Sequence, residues 1–316
     1  MCSIPNSPPL SVVIATYRRD QLLGACLVSL RQARAAADFE VVVVDDGGGL
    51  SPSIRTAIDG LDVEWILLSH NVGQPAAQAE GVRRAHGAIV AFVDDDAVVD
   101  PGWASAILDC FARWPEVGAV LGRIEAYDDL HVLARMRQQI YERRHRTYLD
   151  PAHAALLRTR YGLSVPAAVP LSDHVSGGNF AARRSVLEAI GGFASDIRLG
   201  CDDLLSERLL RSGHAIAYEP AMRIRHHHNC RFSVLFRNNF VEGRDHIRIA
   251  RLSGQPRGRE IRSALGNLLG VPVRIFKFPE MLVAGGNRAA IYGIYTAVQA
   301  FDAAGRVYES IVGRQP

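Results

Sequence analysis

Lysine is almost missing from this chain: Lys277 is the only one among 316 residues, and arginine supplies the remaining positive charge. The phosphate cradle G-x-x-x-x-G-K-[ST] is absent as well, so a Lys-dependent phosphate site has no support. No H-E-x-x-H run and no G-x-S-x-G turn occurs, which leaves zinc and serine hydrolase chemistry without a motif. Cysteine is sparse too. Cys2, Cys26, Cys110, Cys201 and Cys230 form no C-x-x-C pair, which suits reduced thiols rather than a disulfide framework. The longest apolar runs, Val41–Val44 and Ala88–Val93 among them, fall far short of the roughly 20 residues a bilayer crossing needs. The leading MCSIPNSPPL has no basic stretch followed by an apolar one, so no signal peptide and a cytoplasmic location are expected.

What remains is ordinary globular material, 48% hydrophobic and 22% charged, which argues against disorder. The net charge of +3 is unevenly placed. Residues 1–220 hold 21 basic and 27 acidic side chains, a net of −6, whereas 221–316 hold 15 and 6, a net of +9. A basic C-terminal third fits an anionic partner such as a phosphorylated ligand or a membrane surface. No aromatic-interleaved basic motif accompanies it, so nucleic acid is not expected.

Apolar runs and helical spacing alternate through the first half. LSVVIATY, FEVVVVDD, VEWILLS and AIVAFVDDD read as strands, with helices predicted over Asp20–Ala37, Pro52–Leu61 and Gln74–His86. Unbroken Val/Ile strands separated by helices indicate a mainly parallel sheet covered on both faces. In such sheets ligands bind beyond the carboxyl ends of the strands. The polar residues gather there: Thr16–Arg19, Asp45–Asp46 and Asp94–Asp96. Residues 147–172, with Pro151, Pro166 and Pro170, suggest an excursion or mobile flap. CDDLLSERLLRSG reads as an amphipathic helix closed by Gly213. From Ser233 the spacing is mostly helical, ending in an amphipathic stretch over Ile291–Val312 that fits peripheral contact with an anionic bilayer or packing on a core.

Asp94 and Asp96 point to the same side of an extended chain, and Asp95 to the other. Carboxylates so placed can chelate a hard divalent cation while leaving positions for phosphate oxygens. An imidazole from the run His226–His228 would complete a site that accepts Mn²⁺ or Mg²⁺. A cation, rather than a basic side chain, is therefore expected opposite the Asp cluster. The bland readings are a solvated Asp loop, and a turn at Asp45–Asp46 with Gly47–Gly49.

The stretches SVVIATYRRDQLLGACLVSL, FEVVVVDDGG, NVGQPAAQAEGVRRAHGAIVAFVDDDAVVDPGW and HVSGGNFAARRSVLEAIGGF…GCDDLLSERLLRSGHAIAYEPAMRIRHHH together resemble the family 2 glycosyltransferases. The resemblance implies a GT-A fold: a Rossmann-like, mixed but mainly parallel sheet flanked by helices, here with a helical C-terminal extension. It implies a catalytic domain over 1–230, with a nucleotide-sugar half at about 10–100 and an acceptor half at about 101–230, and a basic helical extension over 231–316. Thr16, Tyr17, Arg18, Asp45, Asp46 and Gln78 would border the nucleotide. Asp94 and Asp96, with His226, would hold the cation against the diphosphate, with Asp95 beside them. Gly177, Gly178 and Asn179 would shape the sugar and acceptor pocket. The family's late acidic motif aligns on Gly200–Arg208, which makes Asp202 the carboxylate base, with Asp203 a second candidate because Cys201 and Leu204 replace acidic residues. The implied activity is metal-dependent, inverting transfer of a sugar from a nucleoside diphosphate sugar to an acceptor whose identity the sequence does not name. Two rivals stay open. A sugar nucleotidyltransferase should carry a Gly-rich loop after the first strand, which IATYRRD lacks; a non-catalytic sugar-nucleotide binder would tolerate the changes at Cys201 and Leu204.

Overall fold

The structure is a computed structural model that describes residues 8–51, 54, 60–128, 131–194, 197, 199–228, 230–252, 262, 265–266 and 286–312. They fall into two compact units. The first holds residues 1–127, 138–195 and 205–227, and the second holds 128–137, 196–204 and 228–316.

The first unit is built on a nine-stranded mixed sheet. Its strands are β1 (Leu10–Thr16), β2 (Glu40–Asp45), β3 (Val63–Leu67), β4 (Ile89–Val93), β5 (Ala97–Val99), β6 (Val117–Ala126), β7 (Leu171–Ser172), β8 (Asn179–Arg183) and β9 (Ala215–His226). They run in the order β3-β2-β1-β4-β8-β6-β9-β5, with β7 paired to β9. The β1–β2, β2–β3 and β1–β4 pairs are parallel, as the unbroken apolar runs predict. Val12, Val13, Ile14 and Val41 to Val44 are all 0% exposed. Burying each such side chain contributes about 1.5–3 kcal/mol, which is why these strands carry no polar face. Beyond β4 the pattern changes: β8 is antiparallel to both β4 and β6, and β5 to β9.

Helices α1 (Asp20–Ala33), α2 (Gln74–Arg84) and α3 (Trp103–Arg113) stand where helical spacing predicts them or between predicted strands. Most of the helix expected over Pro52–Leu61 lies outside the described residues. A long helix, α4, covers Val132–Tyr148. Of the ordered excursion or mobile flap expected over 147–172, the structure shows the ordered alternative: Pro151–Tyr161 forms a helix, α5. Asp150 caps it by accepting the Ala152 N–H at 2.9 Å, and Gly162 closes it at φ 63°. Pro151 sits in the first turn, where its missing N–H is not needed, so this proline starts a helix rather than breaking one. A short helix, α6 (Arg184–Ala189), follows β8, and α7 (Cys201–Arg211) precedes β9.

In the second unit, α8 (Phe232–Leu252) lies along α9 (Gly286–Val312). Side chains at Gly243 or Gly305 would run into the Asp302 and Phe240 carbonyls of the opposite helix, so glycine sets this close approach. On α9 the buried side is not purely apolar. Asp302 and Glu309 are buried, whereas Tyr295, Phe301, Tyr308 and Ile311 are exposed. Arg244 and Arg248 each donate to Glu309, and Arg251 donates to its carbonyl, so part of the basic surplus is used inside the unit. No helix among the described residues is long and apolar enough to cross a membrane. The breaks expected at 254–258 and near Pro272 and Pro279 lie outside the described residues.

Candidate active site

Sheet register assembles the first cluster. Ala97 pairs with His226 across β5 and β9, and the His227 N–H donates to the Asp96 carbonyl at 2.8 Å. Val93 pairs with Asn179 across β4 and β8, which sets Gly178 beside Asp94. Residues far apart in sequence thus meet at the edge where β1, β2 and β4 end.

His226 Nε2 lies 3.0 Å from Asp94 Oδ2 and 3.2 Å from Asp96 Oδ1. Gln74 donates from Nε2 to Asp94 Oδ1 at 2.7 Å. Burial raises the Asp94 carboxyl, but the hydrogen bond and charge of His226, with help from Gln74 and Arg19, hold it below the usual range. Asp96 goes the other way, pushed up to about 6 by burial and by the neighbouring Asp94 and Asp95, which outweigh His226 and Arg19. One Nε2–H can serve one oxygen well. Asp96 Oδ1 is buried and accepts no hydrogen bond among the described residues. A Cβ on Gly178 would stand 2.5 Å from Asp94 Oδ2, so only glycine lets the 176–178 loop pass this close. Asp94, Asp96 and His226 each offer a ligand atom, all within 4.8 Å of one another. Two carboxylates, one imidazole and a buried oxygen lacking a donor fit a hard or borderline divalent cation.

The expectation that no basic side chain faces the cluster is wrong. Arg19 Nη1 donates to Asp95 Oδ1 and to Asp96 Oδ2, both at 2.9 Å. The chain reaches Arg19 through Arg18 in the left-handed region, φ 56°, leaving Arg18 and Tyr17 exposed. The alternation expected of an extended chain does not apply here, because β4 ends at Val93 and Asp95–Asp96 form a turn; Asp95 shares the Arg19 guanidinium with Asp96 and also accepts from Thr16 Oγ1 at 2.7 Å.

Several residues expected at the nucleotide are engaged internally. Thr16 is turned toward Asp95 and is 2% exposed. Asp45 accepts from the N–H groups of Gly48, Gly49 and Leu50, closing the glycine turn. Asp46 accepts from Val72 N, Gly73 N and Asn71 Nδ2, tying the 71–73 loop to β2. Each of these carboxylates thus accepts three hydrogen bonds from nearby N–H groups. Gln78 is buried and faces the Gly177 carbonyl. Asn179, fully buried, accepts from Trp103 Nε1 at 2.8 Å and donates to the Arg123 and Met222 carbonyls at 3.0 Å, so it locks the sheet and does not line a pocket. Next to the 176–178 loop, Leu121, Gly122, Tyr148, His174, Ser176 and Tyr218 line a small pocket open to solvent.

The second cluster stands in the second unit. Asp202 and Asp203 occupy the first turn of α7, where the helix dipole favours carboxylates. Asp203 Oδ2 lies 3.4 Å from His246 Nε2, and His246 Nδ1 lies 3.2 Å from Asp302 Oδ1. Burial would lower the His246 pKa, but hydrogen bonds to Asp203 and Asp302 push it up to about 9. Gln74 and His246 were not foreseen from sequence, and Arg19, marked only as part of the polar Thr16–Arg19 end of β1, was not expected to face the carboxylates.

The sequence matches the profile of glycosyl transferase family 2 over residues 11–191, more than half of the chain. The chain belongs to glycosyl transferase family 2. Among curated members, validoxylamine A glucosyltransferase of Streptomyces hygroscopicus subsp. limoneus is 36% identical over 126 residues, 38% of this chain and 28% of that protein. Pre-mycofactocin glycosyltransferase of Mycobacterium tuberculosis is 28% identical over 227 residues, 71% of this chain and 44% of that one. The aligned part is thus less than half the length of either relative. Among solved structures, a mannosyltransferase from Pyrobaculum calidifontis, in complex with GDP-Man and Mn²⁺, superposes with a TM-score of 0.61 at 18% identity, covering 98% of this chain and 89% of that one. S. aureus TarS 1-349 gives 0.54 at 14% identity, over 96% and 90%. The family 2 chain therefore has the GT-A fold expected for it.

Proposed function

We propose that this family 2 chain transfers a sugar from a nucleoside diphosphate sugar to an acceptor nucleophile in one displacement, with inversion and with a divalent cation. The observation that carries the reading is the Asp94–Asp96–His226 cluster, assembled by sheet register, in which a buried Asp96 oxygen lies 3.2 Å from His226 Nε2 and accepts no hydrogen bond among the described residues. Asp94, Asp96 and His226 would hold the Mn²⁺ or Mg²⁺, which when bound neutralises the departing diphosphate. Arg19 and Gln74 keep the three carboxylates in place while the site fills. Tyr17 and Arg18, exposed at the end of β1, are the side chains of the first segment left to meet the nucleotide. Asp202 takes the acceptor's proton as its oxygen bonds to the anomeric carbon, and the nucleoside diphosphate leaves with the electron pair of the broken bond. A positioned base of this kind contributes about 10²–10⁴-fold. A single base without a covalent nucleophile gives inversion. The domain division at 230 and a peripheral membrane role for the basic third belong to the same reading, the latter supported by exposed Tyr295, Tyr308 and Ile311.

A thermal-shift screen of UDP-glucose, UDP-N-acetylglucosamine and GDP-mannose with Mn²⁺ tests donor binding. At least one should stabilise the chain in a cation-dependent way, and the product formed from it should carry the opposite anomeric configuration by NMR coupling constant. Stabilisation by none of them, with or without Mn²⁺, counts against the reading, as does a retained configuration.

A further inference from the structure

The segment that leads into Asp202 is gripped by one side of α8. The Leu199 N–H donates to Asp245 Oδ2 at 2.9 Å, and Asp245 also accepts from Arg248 at 3.2 Å. A Cβ on Gly200, whose φ is 79°, would stand 3.2 Å from Ile249 Cδ1. His246 reaches Asp203 with one ring nitrogen and Asp302 with the other, and Arg306 Nε holds the far oxygen of Asp302 at 3.0 Å. Glu242, one turn earlier on α8, brings its carboxylate within 4.8 Å of the same imidazole and of Asp203. Asp245, His246 and Ile249 are spaced to share a helix side, and the glycine contacts of α8 with α9 bring Asp302 within reach.

An imidazole flanked by a carboxylate on each nitrogen carries both protons, so Asp203 faces a fixed positive charge. A carboxylate in such a pair is a poor proton acceptor, because protonation would break the pair. Its use is to hold the turn. We propose that His246 is a positioning residue for sugar transfer: clamped between Asp203 and Asp302, it fixes the first helical turn that presents Asp202 to the acceptor. The proposal rests on Asp202 being the base, and it makes the C-terminal helices part of the catalytic apparatus.

The test compares His246→Gln, Asp202→Asn and the double variant in the full chain, reading Mn²⁺-dependent turnover of the donor selected above with water as acceptor. Because a base displaced by an ångström costs up to about 10²-fold, His246→Gln should lower kcat by about that much with donor KM unchanged. The double variant should be no slower than Asp202→Asn, since His246 acts through Asp202. If His246→Gln is insoluble, Asp302→Asn, which loosens the clamp from its far side, should show the same pattern with a smaller loss. A wild-type kcat in His246→Gln beside a dead Asp202→Asn would overturn the clamp and leave the base assignment standing. Near wild-type turnover in Asp202→Asn would overturn the base assignment itself. Additive losses in the double variant would reduce His246 to a purely structural role.

Discussion

The molecule contains two clusters in which a histidine faces two carboxylates, and they are wired differently. At the ends of β4 and β9, a single His226 nitrogen lies against both Asp94 and Asp96, leaving the buried Asp96 Oδ1 without a hydrogen bond among the described residues. On α7, α8 and α9, His246 gives each carboxylate its own ring nitrogen, and Arg306 neutralises Asp302 further. In the first, burial and the neighbouring Asp94 and Asp95 raise the Asp96 carboxyl; in the second, hydrogen bonds to Asp203 and Asp302 raise the imidazole instead, with the Glu242 carboxylate also close by. Identical residue types therefore give one site suited to receiving a cation and one suited to bearing load. The difference lies in how many donors reach each oxygen, a property of geometry and not of composition.

The largest effect that separates them is on transfer. Asp94→Ala or Asp96→Ala removes a ligand atom and should lower turnover by roughly 10³-fold or more, since the cation supplies several kcal/mol of charge stabilisation. The folded state should persist, with thermal melting in the absence of cation near wild type. Steady-state rates near wild type in either variant would break the contrast.

A smaller effect is expected at Gly178. In Gly178→Ala the new methyl meets Asp94 Oδ2, so the ligand must move. Mn²⁺ affinity should fall by about 10–100-fold, the range for disturbing residues that orient ligands. An unchanged affinity would mean that Asp94 is not a ligand.

The last effect concerns pH and is read in stability, not in transfer. The folded pKa of His246, about 9, lies above its ordinary value of 6.5, so its stabilisation is complete below about 6.5 and is lost as pH rises through 9. Between those limits the loss is at most about 3 kcal/mol. Melting temperature should therefore decline from pH 6.5 to 9.5 more in wild type than in His246→Gln. Parallel declines would show that His246 is not held as an imidazolium.

The sheet was legible because strands buried on both faces must be apolar throughout, and Val41–Val44 or Ile89–Val93 admit no other reading. The Asp94–Asp96 cluster was legible as a candidate cation site for a related reason: carboxylates at a strand end stand out against such runs. The hydrogen bonding around Asp45 and Asp46 was not. Asp45 and Asp46 look like ligands in sequence, yet the glycine turn and the 71–73 loop offer them N–H groups at short range. Arg19 folds back onto Asp95 and Asp96 through a left-handed residue that no periodicity announces. His246 carries no motif at all, because its partners Asp203 and Asp302 come from two other segments brought to it only by helix packing.

The central claim is that the strand-end cluster, and not the helical one, takes the cation. Mn²⁺ titration followed by electron paramagnetic resonance, on the full chain and on Asp96→Asn and Asp203→Asn, tests it most directly. The account predicts one bound Mn²⁺ in wild type, retained in Asp203→Asn and lost in Asp96→Asn. Retention in Asp96→Asn with loss in Asp203→Asn would contradict it.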